Sequence, residues 1–114
     1  MSATHYVPDR GDLLWLTFDS QTGHEQAGRR PALVLSPAAY NRRANLALVC
    51  PITTQVKGYP FEVALPAGLP LSGVVLADHL KSADWTSQRA EFVVKASAEV
   101  LAEVTAKVRP LLGI

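Results

Sequence analysis

A chain of 114 residues that is 48% hydrophobic and 18% charged has the size and composition of one globular domain around one core, which excludes a disordered chain. Its formal net charge of +1 excludes binding of a polyanion by bulk charge, and its single cysteine, Cys50, excludes an internal disulfide and a cysteine-rich zinc site. The start MSATHYVPDRGD has no apolar stretch of signal-peptide type, and Pro, Gly or a charge interrupts every later apolar run. The expectation is a single soluble domain over residues 1–114, cytoplasmic and without a membrane segment.

In chain order, GDLLWLTF (11–18) is the first strand candidate, bounded by Gly11 and the turn-rich DSQTG. Residues 19–30 read as a polar loop with Gly23 and Gly28, long for a hairpin. Pro31 suits the head of a strand running to Ser36, since it cannot donate to a ladder. Ser36 is the expected N-cap and Pro37 the expected first residue of a short helical turn. NLALVCPI (45–52) reads as a buried strand closed by Pro51, and TTQVKGYP as a polar loop. FEVAL (61–65) alternates, with Phe61, Val63 and Leu65 on one face. After a Pro/Gly-rich connection, residues 74–85 read as a strand that bends or breaks near Asp78, and 91–96 as a last short strand.

The end of the chain changes period. Val100, Leu101, Val104, Val108, Leu111 and Leu112 recur at three- and four-residue spacing, with Ser97 as N-cap, Glu99 in the first turn and an end near Pro110. Many short strands, few helices and no repeat predict a small, mainly β, barrel-like domain with short helices and a C-terminal amphipathic helix.

The charge is unevenly placed. Residues 26–61 hold Arg29, Arg30, Arg42, Arg43 and Lys57 and no acid, as a local anion site requires. An arginine stiffened by a following proline presents a planar fork to phosphate, and Arg30, next to Pro31, is better fixed than Arg29. His24 and Glu25 are neighbouring proton-exchanging groups in the same loop. In CPITTQVKGYPFE (50–62), Thr53 and Thr54 stand where a hydroxyl can donate to an oxyanion. Gln55 and Lys57 are candidates for base or phosphate contact, and Tyr59 for stacking on an unpaired base. In ADHLKS (77–82), Asp78 is a general-base candidate or a turn residue, with His79 and Lys81 beside it. Trp15 and Trp85 read as core residues and Cys50 as buried and inert. The three histidines give no metal-ligand spacing, so no metal and no cofactor is expected. Each group alone also has a plain structural explanation. Together they suit metal-free chemistry on a phosphate.

The segments RGDLLWLTFD, GHEQAGRRPALVLSPAAYN, VCPITTQVKGYPFEV and GVVLADHLKSADW closely resemble the MazF/PemK (Kid) toxins of bacterial toxin–antitoxin systems, from about Tyr6 to the last helix. The resemblance implies an SH3-like barrel, a homodimer, and a metal-independent, sequence-specific endoribonuclease that cuts single-stranded mRNA. It also implies a cognate MazE-like antitoxin that lays an extended acidic segment across the RNA groove. Matched by motif, Arg30 and Thr53 fall on positions regarded as catalytic. His24 and Glu25 fall in a loop with further active-site groups, and Asp78 on an acid/base residue of the PemK branch. That branch has an arginine two residues earlier, where this chain has Leu76.

The mechanism so implied is attack of the RNA 2′-OH on its neighbouring phosphate, leaving a 2′,3′-cyclic phosphate and a 5′-hydroxyl. Arg30 would meet the developing charge, Thr53 a non-bridging oxygen, and Glu25, His24 or Asp78 the 2′-OH proton, in that order of preference. Gln26, Arg29, Gln55, Lys57, Tyr59, His79 and Lys81 are the expected RNA contacts. The rivals are a CcdB-like toxin, which shares the barrel but binds and poisons DNA gyrase without cutting, and an RNA-binding module without activity.

Overall fold

The computed structural model describes residues 6–18 and 28–114. Within them the chain forms β1 (Asp12–Phe18), β2 (Gly28–Val34), α1 (Ala38–Ala44), β3 (Ala47–Thr53), β4 (Glu62–Ala64), β5 (Val74–Leu76), β6 (Lys81–Ala83), β7 (Glu91–Lys95) and α2 (Ala98–Leu111). A 3₁₀ turn, Ala77–His79, separates β5 from β6, so the expected break near Asp78 is present. The strands pair antiparallel in the order β4-β5-β3-β2-β1-β7. β3 is the branch point. Its residues 49–51 pair with β2 on one edge, while on the other edge residues 47–49 pair with β6 and residues 52–53 with β5. The fold class is the expected one: mainly β, with a short helix and a C-terminal amphipathic helix.

Both faces of the sheet are covered. One carries Leu13, Leu33, Cys50 and Ile52 against Val100, Val104 and Val108 of α2, with Trp15 and Phe61 packed alongside. The three valines recur at i, i+4 and i+8, which aligns them on one side of the helix. Burying each contributes about 1.5–3 kcal/mol. Ser97 caps α2 as expected, its side chain accepting from the Val100 N–H at 3.1 Å. The other face carries Leu14, Leu16, Ala32, Val34, Ala47, Val49 and Ala83, with Tyr6, Phe18 and Trp85 packed on it. These two surfaces are the helix-covered and the loop-covered faces.

Four expectations are corrected. β2 begins at Gly28, not Pro31, because residues 28–30 pair with residues 16–18 of β1. Arg29 and Arg30 therefore stand on a strand, and Pro31 lies inside it opposite Trp15. Pro51 likewise lies within β3 instead of closing it. Only alternate residues donate toward a given neighbour, so a strand admits proline where that N–H is not needed. Ser36 does not cap α1; Pro37 holds the cap position. The Ser36 hydroxyl instead donates to Asn41 Oδ1 at 2.6 Å and accepts from the Leu48 N–H at 2.8 Å, tying the buried Asn41 to β3. Leu111 and Leu112 are 50% and 57% exposed, because α2 has run past the sheet by Pro110.

Candidate active site

The alternation of β1, β2 and β3 decides which candidate side chains share a face. Arg30 lies opposite Leu16, a buried residue of the loop-covered face, so Arg30 projects from that face too. β2 and β3 pair Val34 with Val49, Leu33 with Cys50 and Ala32 with Pro51. The ladder ends at the Ala32–Pro51 pair; by alternation Arg30, two residues before Ala32, and Thr53, two residues after Pro51, both project from the loop-covered face at that end of the two strands. Lys81 pairs with Val49 and so joins the same face. Phe18, at the end of β1, completes the group, with the Lys81 ammonium 4.5 Å from its ring centre. A guanidinium and a hydroxyl thus share one end of the loop-covered face on adjacent strands, and the Lys81–Phe18 contact lies on the same face.

Thr53 is ready to donate. Its Oγ1 accepts the Gln55 N–H at 3.1 Å, a local turn that fixes the hydroxyl and leaves its proton for another acceptor. Its backbone is set by Gly73, which precedes the Val74 paired with it. Gly73 has φ +118°, and a Cβ there would overlap the Thr53 carbonyl oxygen, so only glycine admits this approach. Arg30 is exposed, and among the described residues it has no hydrogen-bond or ion-pair partner.

Its neighbour behaves differently. Arg29 projects from the helix-covered face, where it donates to Thr17 Oγ1 at 2.7 Å, to the Arg89 carbonyl at 2.8 Å and to Glu91 at 3.0 Å. The structure therefore does not bring Arg29 to the Arg30–Thr53 group. Asp78 sits in the 3₁₀ turn between β5 and β6, partly exposed, 3.9 Å from the Nε2 of the exposed His79. Beneath it, burial first and then the Asp78 charge push the Cys50 thiol up to about 12, so Cys50 stays a protonated core residue as expected. Leu76 lies one residue beyond the Ile52–Val75 pair, opposite Glu62 of β4, and itself brings no charge to this face. Gln55, Lys57 and Tyr59 line the exposed loop that leaves Thr53. Tyr59 is 56% exposed, so it does not pack into the core. His24, Glu25 and Gln26 lie outside the described residues.

Sequence reasoning missed Phe18 and Gly73. Alternation along β1 was the available signal for Phe18; Gly73 had none, since its role depends on a strand twenty residues away. Among the described residues, no helix is long and apolar enough to cross a membrane.

Residues 9–112 match the family model described as PemK-like, MazF-like toxin of type II toxin-antitoxin system. The chain is 48% identical over 110 residues to the endoribonuclease toxin MazF of Escherichia coli K12, covering 96% of this chain and 98% of that one. It is 30% identical to the endoribonuclease PemK of Escherichia coli, covering 91% and 81%. Among solved structures it resembles MazF of Deinococcus radiodurans, with TM-score 0.90, 63% identity and coverage of 96% and 100%. A MazE–MazF crystal structure from the same organism matches with TM-score 0.90 and 63% identity, covering 96% and 99%.

Proposed function

The chain belongs to the PemK-like, MazF-like toxins of type II toxin–antitoxin systems, and from that premise we propose that it cuts single-stranded mRNA at the Arg30–Thr53 end of the loop-covered face. It is an endoribonuclease toxin of such a system. The gyrase-poison alternative gains no support, since these relatives are named endoribonucleases.

The reaction needs no metal. The 2′-OH of one nucleotide loses its proton to a base, and its oxygen bonds to the adjacent phosphorus. The bond from phosphorus to the 5′-oxygen of the next nucleotide breaks, and that oxygen takes up a proton. Charge builds on the two non-bridging oxygens between these events. The Arg30 fork meets that charge and is placed to aid the leaving oxygen, while the Thr53 hydroxyl donates to one non-bridging oxygen. Glu25, His24 or Asp78 takes the 2′-OH proton. Lys81, Lys57 and Gln55 hold flanking phosphates or bases, Tyr59 stacks on a base, and Gln26 and His79 are further contacts.

The single observation supporting this reading is that an exposed guanidinium without a partner among the described residues and a turn-fixed hydroxyl project from the same end of one face, on adjacent strands. Purified protein incubated with a long single-stranded RNA in EDTA should cut at a limited set of sites and leave 2′,3′-cyclic phosphate and 5′-hydroxyl ends. Cutting that appears only on adding Mg²⁺ would overturn the metal-free mechanism.

Two partners follow. A homodimer is supported by an apolar groove of about 170 Å³ between β3 and the end of α2, lined by Leu35, Leu48, Leu80, Val108, Leu112 and Ile114. Leu48, Leu112 and Ile114 are exposed there, and a second copy would cover them. A MazE-like antitoxin with an acidic extended segment is supported by the exposed Arg30, Arg42, Arg43 and Lys57, which lie in a stretch without acids up to Phe61. Its affinity should fall as salt rises. An mRNA substrate agrees with a cytoplasmic location.

A further inference from the structure

The loop between Thr53 and β4 is held by a side chain the cutting reaction does not use. Glu62 opens β4, opposite Leu76 of β5. Its two carboxylate oxygens accept two successive backbone amides, the Lys57 N–H at 3.0 Å and the Gly58 N–H at 2.9 Å. Gly58 has φ +81°, a conformation that turns these amides toward one acceptor and that side chains rarely adopt. The Glu62 N–H donates to the Tyr59 carbonyl at 3.1 Å, closing a turn with Pro60 at its second position. From the other side, the Lys107 ammonium of α2 donates to the Pro60 carbonyl.

This loop is therefore fixed through its backbone, while its side chains face outward. Gln55, Val56, Lys57 and Tyr59 are all exposed. A loop ordered before binding loses less conformational freedom when a ligand arrives. The carboxylate is the strongest acceptor available for two amides and pins the stretch bearing Lys57 and Tyr59.

We propose that Glu62 is a positioning residue that pre-orders residues 54–61 for single-stranded RNA, setting substrate affinity and base preference without touching the reacting atoms. The inference rests on the reading of that loop as an RNA contact. In Glu62→Gln one oxygen becomes an NH₂ group facing a backbone N–H, so one of the two bonds is lost. On a short RNA bearing one cut site, KM should rise about tenfold with kcat changed less than about twofold, and cuts on a long RNA should spread to new positions. Amide hydrogen exchange at Lys57 and Gly58, followed by ¹⁵N NMR, should accelerate. In a Lys57→Ala/Tyr59→Ala background, adding Glu62→Gln should raise KM no further. Lys107→Met, which releases only the Pro60 side, should shift KM the same way by less, and it serves as the test if Glu62→Gln does not fold.

Unchanged exchange at both amides in Glu62→Gln overturns the proposal, as does faster exchange with KM and cut positions unaltered. An unchanged KM in Lys107→Met, where Glu62→Gln cannot be measured, also overturns it. If Lys57→Ala/Tyr59→Ala itself cuts with the parent KM and pattern, the reading of the loop as an RNA contact fails instead, whatever Glu62 does to the amides.

Discussion

The two ends of the loop-covered face treat charge in opposite ways. At one end, Asp12 is 4% exposed and fully engaged: its carboxylate accepts from the Tyr6 hydroxyl at 2.6 Å and the Asp9 N–H at 2.9 Å, and pairs with the Lys95 ammonium at 2.6 Å. Burial, then the bond to Asp12 and its charge, push the Tyr6 phenol up, so it remains a protonated donor. At the other end, Arg30 is exposed without a partner among the described residues, and Thr53 keeps a proton to give. The first end closes on itself and stabilises the β1–β7 edge. The second leaves its donors for something the chain does not supply. Charge satisfied from within reads as structure, and charge left unsatisfied beside a fixed hydroxyl reads as a site.

The contrast is tested most severely at the open end. Arg30→Ala should lower RNA cutting by at least about a hundredfold, the usual loss for one donor to developing charge, with the melting curve unchanged. Thr53→Val should act in the same direction. A folded Arg30→Ala protein that cuts at the parent rate breaks the comparison outright. At the closed end the effects exchange places. Asp12→Ala leaves the Tyr6 hydroxyl without its acceptor and Lys95 with only the Arg10 carbonyl at 3.1 Å and Asp9 at 3.9 Å, and should cost on the order of 2–3 kcal/mol in urea unfolding, less than a fully buried pair because Lys95 is half exposed. Cutting per folded molecule should stay near the parent value.

A finer cut compares Arg29 with Arg30. The Arg29–Glu91 pair is 36% and 67% exposed, so solvent screens it and Arg29→Ala should lose less than about 1 kcal/mol of stability. Because the two arginines project from opposite faces of β2, Arg29→Ala should reduce cutting far less than Arg30→Ala. Equal losses from both would mean that β2 does not hold the pairing of Arg30 with Leu16 and Arg29 with Thr17 in solution.

The same pair shows what sequence alone can and cannot reveal. Val100, Val104 and Val108 announced α2 because helical period is a local property, and Ser97 announced its start. The resemblance pointed to Arg30 and Thr53 as residue types at motif positions. It did not say that they share a face, because that depends on register, and a slip of one residue would exchange Arg30 for Arg29. Pro31 suggested a strand head, yet pairing with β1 carried the strand back to Gly28. Gly73 and Glu62 act on backbone remote from or folded against them, and Ser36 exchanged a local cap for a long-range bond to Leu48. Local pattern was legible; contacts closed by tertiary pairing were not.

The smallest expected effect concerns Asp9, on the rim of the closed end. The Ala38 N–H donates to its Oδ1 at 2.9 Å and is the largest influence lowering its pKa. Slight burial opposes this, while the Arg10 backbone amide and the Lys95 charge add to the lowering. A carboxyl whose folded pKa lies below its unfolded one, roughly 3.9, binds more protons unfolded than folded in the window between them. Its contribution is therefore present in full above the unfolded value and is lost as pH falls through the folded one. Asp9→Asn should be less stable than the parent at pH 6, and the gap should narrow as the pH is lowered from 5 toward 2.5, read from urea midpoints of both proteins. Because Asp9 is largely exposed, the gap should be smaller than the loss in Asp12→Ala. A gap that widens on acidification would mean that the Ala38 bond favours the neutral carboxyl, and the closed end would then not be held by charge at its rim.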